Sequence, residues 1–216
     1  MEKMGLQPRL QTVVAPARPI ERGNDWRNGL PTLTGSNVTL RELRMTDAQS
    51  LFASLSTEEV ARFIAPPPTT VEGYELFIAW TLRQRVVGDH VCFGIVPHGT
   101  EHAVGLFQIR SLESDFSLAE WGFALATEYW GSGVFVDGAN AILEFGFDVL
   151  NINRLEARAA VRNGRGNGAL RKIGAVQEGV LRRSFLRRGE YLDQTLWSIL
   201  RDEWQRVSDT TNSPVH

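Results

Sequence analysis

A chain of 216 residues with 43% apolar content can bury one sizeable core, and one domain is the natural reading. No run of eighteen apolar residues occurs, so no membrane-spanning helix is expected; Cys92 stands alone, which excludes an internal disulfide and fits a cytoplasmic protein. The net charge of −2 is uneven: Arg154 to Arg188 holds ten Arg or Lys against Glu156 and Glu178, a local +8 that leaves −10 elsewhere, and no nucleic-acid module accompanies those arginines.

Residues 1–36 are polar, carry Pro8, Pro16, Pro19 and Pro31, and lack the apolar segment of an export signal, so they read as an extended arm. Val38 to Leu43 reads as a first strand. Thr46-Asp47-Ala48-Gln49 has capping-box spacing before a helix that turns Leu51, Phe52 and Leu55 inward. A short helix, Glu58 to Ile64, is stopped by Pro66-Pro67-Pro68. Thr69 and Glu72 repeat the capping spacing ahead of a helix with Phe77, Trp80 and Leu82 that ends near Arg85.

His90 to Val96 and Val104 to Leu112 form a hairpin around Gly99. His90, His98 and His102 gather there without carboxylate or thiol company at ligand spacing, so no metal site is expected. A central strand, Ser117 to Ala126, leads through Trp130-Gly131-Ser132-Gly133 into a helix with Phe135, Ala139, Ile142, Leu143, Gly146 and Val149 at helical spacing. Arg154 to Val161 is the next strand. Gly164, Gly166 and Gly168 then interrupt the start of a short helix, where each glycine costs about 1 kcal/mol relative to alanine. Such a stretch serves either close backbone approach to a ligand or a loose loop. Strands at about Val176 to Arg187 and Tyr191 to Leu200 complete a domain spanning 37–207, and 208–216 reads as a disordered tail. The order of elements makes an α/β protein, an α+β mixed sheet with helices on both faces.

The turn before Val134 is the most informative stretch. Backbone N–H groups at a helix start have no helical partner, and with the positive end of the helix dipole they make a phosphate site. Glycine at 131 and 133 removes side chains that would block the approach. A P-loop is excluded because no lysine follows Gly133, and a dinucleotide fingerprint is disfavoured because Val136 stands where its third small residue belongs. Plain turn chemistry remains the alternative.

The company of that turn resembles a known family. Ala119-Glu120-Trp121-Gly122-Phe123 and Glu128-Tyr129-Trp130-Gly131-Ser132-Gly133 are similar to the acetyl-CoA loop of the GNAT N-acetyltransferases, nearest to the RimJ/RimL type that acetylates ribosomal-protein N-termini. The likeness continues through Asn153 to Arg158, Asn163, Lys172 to Ala175, Glu178-Gly179, Asp193 and Glu203-Trp204, covering roughly residues 38 to 205. It implies a GNAT-like fold with a central, mostly antiparallel sheet whose middle strands splay apart. It also implies acetyl transfer from acetyl-CoA to a primary amine by direct attack. Gly131, Ser132, Gly133, Val134 and Phe135 would hold the pyrophosphate, and the strand edge at Phe123 to Leu125 would bond the pantetheine amides. Asn163 matches the family asparagine near the reactive end of the cofactor, or closes a turn; Gly166 stands where relatives carry a serine.

Glu120 is the candidate proton acceptor, with pairing to Arg110, Arg154 or Arg158 as the structural alternative. Glu128 departs from the usual glutamine or arginine and is expected to point away from a pyrophosphate, and Asp193 reads as a turn residue. A non-catalytic CoA-binding domain is the alternative to an enzyme, because of Gly166 and Glu128. An α-amine is roughly a tenth to a sixth neutral at pH 7, and a lysine amine well under about 0.1%, which favours a protein N-terminus or another low-pKa amine as acceptor. No nucleic acid or membrane partner is expected, and monomer and homodimer stay open.

Overall fold

The structure, a computed structural model, describes residues 25–113 and 116–204. Most of the expected arm and the expected tail at 208–216 lie outside the described residues. Eight strands form one sheet: β1 (Leu33–Thr34), β2 (Val38–Glu42), β3 (His90–Pro97), β4 (Gly105–Ser111), β5 (Leu118–Leu125), β6 (Arg154–Ala160), β7 (Val176–Arg187) and β8 (Glu190–Leu200). Their order is β1-β2-β3-β4-β5-β6-β8-β7. Every neighbouring pair is antiparallel except β5 and β6. Helices α1 (Ala48–Leu55), α2 (Glu58–Ala61) and α3 (Val71–Val87) lie on one face, and α4 (Val134–Asp148) and α5 (Gly164–Lys172) on the other. The mixed sheet covered on both faces is the one the sequence led us to expect.

Strand alternation builds two apolar layers. Phe107, Ile109, Ala119 and Trp121 pack under Ile142, Leu143 and Phe145 of α4, while Cys92, Leu106 and Ala124 meet Leu51, Leu55, Tyr74 and Ile78 of α1 and α3. Each fully buried side chain of the Leu, Ile or Phe kind contributes about 1.5–3 kcal/mol. Trp26 joins the α4 layer, edge-on to Phe116 at 5.7 Å, and β1 pairs with β2, so residues 25–34 contribute to the core next to the described start.

The helix starts differ from their expected caps. Thr46 is exposed and makes no cap; Asp47 stands at the N-cap of α1 without a side-chain bond to the helix, its carboxylate accepting instead from the N–H groups of Arg44 (2.8 Å) and Ala103 (3.0 Å) and from both Arg41 guanidinium nitrogens (2.8 Å each). That side chain ties β2, α1 and the β3–β4 connection together. Burial pushes the Asp47 carboxyl up, but those hydrogen bonds outweigh it and hold it below the usual carboxylate range. Thr70, not Thr69, caps α3 by accepting from Gly73 N–H at 3.0 Å. The second helix stops at Ala61 rather than Ile64, and Trp80 of α3 is 40% exposed.

Candidate active site

β5 and β6 pair through three rungs only: Leu118 with Arg154, Ala119 with Leu155, and Glu120 with Glu156. Past Glu120 no rung joins the two strands, while β5 remains paired to β4 up to Leu125. Ala126 N–H is bonded to Val104 O on the β4 side (3.0 Å), so by alternation the N–H and C=O groups of Phe123 and Leu125 face the opening. The Leu125 carbonyl already accepts from the Trp130 indole Nε1 at 2.8 Å.

At the end of β5 the chain turns through Thr127–Tyr129 and reaches Gly131 and Gly133, both at positive φ (79° and 91°). These are left-handed positions that glycine takes without strain. A Cβ at either would meet nothing within 4 Å, so the space before α4 is open. Gly133 is the N-cap of α4 and supplies no side chain; the Val134 N–H has only a long contact to Ser132 Oγ (3.4 Å), and the first helical bond is Asp137 N–H to Gly133 O. Asp137, the acid of this first turn, faces the other way and accepts from the N–H groups of Ser36 (3.0 Å) and Asn37 (2.6 Å). Phe135 packs against Phe123, ring centroids 4.6 Å apart, which fixes α4 to the strand. Glu128 is exposed on the turn.

Across the opening, Asn163 caps α5 by accepting from Gly166 N–H at 2.9 Å. A Cβ on Gly166 would come within 2.5 Å of Asn163 Nδ2, so the missing hydroxyl at 166 and the cap at 163 are coupled. Arg165 lies over the Trp130 ring at 4.0 Å, bridging the two sides. Both line a cavity of about 230 Å³ together with Phe63, Ile64, Ala124 and Leu125. Sequence reasoning assigned no role to Trp130 or Arg165: one was read as part of a turn and the other as part of a basic patch, and only the fold brings them together.

Glu120 sits on the last rung before the strands part. Its Oε2 is 2.5 Å from Arg110 Nη2, and its Oε1 is 3.7 Å from Arg158 Nε. Arg158 reaches Glu156 at 3.7 Å as well, so it is the looser partner. Arg154 pairs instead with Glu156 (2.9 Å) and Glu178 (2.5 Å). The Arg154 guanidinium, with the Ser198 hydroxyl, holds the Glu178 carboxyl down to about 2. Much of the basic stretch is thus paired internally, Arg162 with Glu190 and Arg188 with Glu58 included. Asp193 accepts from Arg183 N–H (2.8 Å) where β7 is irregular against β8. Among the described residues no group of three or more His, Cys, Asp or Glu could hold a metal, and no helix is long and apolar enough to cross a membrane.

A sheet opened between its two parallel strands, beside a helix that begins with bare amides, leaves room for an extended ligand that carries a phosphate. Residues 37–176 match the acetyltransferase (GNAT) domain, and the chain belongs to that family; it is an N-acetyltransferase. It is 26% identical over 176 residues to the uncharacterized N-acetyltransferase p20 of Bacillus licheniformis, covering 81% of this chain and 99% of that one. It is 25% identical over 156 residues to the spermidine N(1)-acetyltransferase of Escherichia coli (strain K12), covering 72% and 81%. The crystal structure of the ribosomal-protein-S5-alanine acetyltransferase of Vibrio fischeri shares the fold, with a TM-score of 0.72, 19% identity and coverage of 81% and 98%.

Proposed function

We propose that this protein transfers acetyl from acetyl-CoA to the α-amine of a peptide or protein N-terminus, in the manner of the RimJ/RimL type. The observation that carries the reading is the uncapped start of α4, with open space above Gly131 and Gly133, at the foot of the β5–β6 opening. The amides from Gly131 to Phe135 would receive the pyrophosphate, with Ser132 on the exposed rim. The free edge of Phe123 would bond the pantetheine, as an added strand does, and Leu125 would share its carbonyl with Trp130. Asn163 and Gly166 would border the reactive end of the cofactor from α5. The thioester supplies an activated acyl group and a thiolate leaving group.

Glu120 would take the proton of the attacking amine. To do so it exchanges a guanidinium for the acceptor ammonium, and Arg158 at 3.7 Å is the partner more easily displaced. Gly166 offers no hydroxyl to the departing thiolate, so its proton comes from water or from the acceptor ammonium. The V. fischeri neighbour, by its name a ribosomal-protein acetyltransferase, supports a peptide acceptor, whereas the E. coli relative, by its name, acts on spermidine. The ion pairs of Glu120 favour one second reading, a domain that binds CoA without turnover.

A screen of amines by thiol release, repeated with Glu120→Gln, tests the reading. Turnover of an α-amine, lowered about 10²- to 10⁴-fold in the variant, is the expected result. Equal turnover by parent and variant across pH removes Glu120 as the base. Thermal stabilisation by acetyl-CoA with no thiol release from any amine leaves the binding domain.

A further inference from the structure

On the face that carries Glu120, one row of the sheet runs from Cys92 through Gln108 to Gly122. Cys92 is buried under α3, Gln108 is half-buried, and a Cβ at Gly122 would meet nothing within 4 Å. The sheet is therefore bare beside Gln108, one step along β5 from Glu120. The Gln108 carboxamide is not free to turn, because its Oε1 is 3.1 Å from His90 Nε2. His90 is 4% exposed and packs against Trp80, ring centroids 5.0 Å apart.

An Oε1 acceptor requires the imidazole proton on Nε2. Burial, aided by the charge of Arg110 and opposed by the bond to Gln108, lowers the affinity of His90 for a second proton, so the ring stays neutral. With Oε1 held by His90, the amide nitrogen has no hydrogen-bond partner among the described residues, and the neighbouring position on β5 is Gly122. The pairing costs stability, because His90 Nδ1 is buried and unpartnered, a loss that an apolar pair would avoid. A polar pair kept at that cost, beside a bare strand position, points to the acceptor.

We propose that Gln108, oriented by His90, donates a hydrogen bond to the carbonyl oxygen of the acceptor's first residue, and so selects peptide N-termini over amines that lack a carbonyl. The spacing suits it. Gln108 and Glu120 are diagonal neighbours on paired strands, with Cα atoms about 7–8 Å apart, room for an amine at one and the adjoining carbonyl at the other. The inference rests on the function proposed above.

The test compares an alanine-initiated hexapeptide with propylamine in parent, Gln108→Ala and His90→Phe, and titrates the peptide calorimetrically into each CoA-saturated protein. The expected result is a fall of roughly 10- to 100-fold in the peptide-to-propylamine ratio of kcat/KM for Gln108→Ala, with a parallel loss in peptide affinity. His90→Phe should lower the ratio less, by about threefold to tenfold, since the amide remains but can rotate. If His90→Phe does not fold, the half-buried Gln108→Ala carries the test alone. An unchanged ratio and peptide affinity in Gln108→Ala overturns the assignment while leaving the acetyltransferase reading intact. A parent inert toward every amine overturns that reading instead.

Discussion

Two helices of this protein begin at glycine-bearing turns on opposite sides of the same opening, and they begin differently. The start of α5 carries a side-chain cap: Asn163 accepts from Gly166 N–H, and Asn167 braces the turn, its Nδ2 donating to the carbonyls of Ala160 (2.9 Å) and Asn163 (2.8 Å) and its Oδ1 accepting from the Trp197 indole (2.9 Å). The start of α4 has no side-chain cap, and its first acid is turned toward Ser36 and Asn37. Glycine at a cap falls only about a few tenths of a kcal/mol short of Asn, Asp, Ser or Thr, so α4 forgoes a side-chain partner at little cost in stability. One start carries its own side-chain cap; in our reading the other is capped by a ligand.

A third start, that of α1, gives the largest expected effect and the control. Asp47→Asn should cost roughly 3–5 kcal/mol, as breaking a buried pair does, and equally with and without CoA, read by urea unfolding. Because the folded carboxyl is held below its unfolded value of about 3.9, its contribution is full above that value and lost as pH falls through the lower folded one. The parent should therefore lose stability in acid more steeply than Asp47→Asn.

Gly133→Val bears on α4 itself. The φ of 91° costs about 1–2 kcal/mol in stability, but a side chain there also blocks the approach to the amides, so CoA affinity should fall by about 100-fold, read by calorimetry. Equal affinity in parent and variant would erase the contrast between the two starts.

Gly166→Ser bears on α5. Its Cβ meets Asn163, so the change should destabilise the parent by about 1–3 kcal/mol and cost less in an Asn163→Ala background, a non-additivity seen in a thermal double-mutant cycle. The smallest effect is that of Arg165→Ala, about 0.5–1 kcal/mol in stability, from the contact over Trp130.

The sheet and the α4 turn were legible in the sequence because each has a local signature, whereas the splay was implied only by the resemblance to the family. Strand alternation, helical spacing and glycines before an apolar helix all operate within a few residues. The cap at Thr69 was misread because Thr70 satisfies nearly the same spacing, and the cap at Thr46 because tertiary partners, Arg41 and Ala103, hold Asp47 and leave α1 without a side-chain cap. Trp80 had an apolar side chain at helical spacing, yet it packs against the Phe77 and His90 rings and stays 40% exposed. The pairing of Glu120 with Arg110 could be read as one option among three, since register across strands is not written in either strand alone. Trp130 with Arg165, and His90 with Gln108, join residues far apart in the chain, so composition and spacing are silent about them. Gln108, alternating with Arg110 on one face of β4, was the one available signal.

Amide hydrogen exchange with and without CoA tests the central contrast most directly. The account predicts that the Val134, Phe135 and Val136 amides exchange more slowly when CoA is added, while Gly166 N–H, already bonded to Asn163, changes little. Slowing at the start of α5 with none at the start of α4 would contradict it.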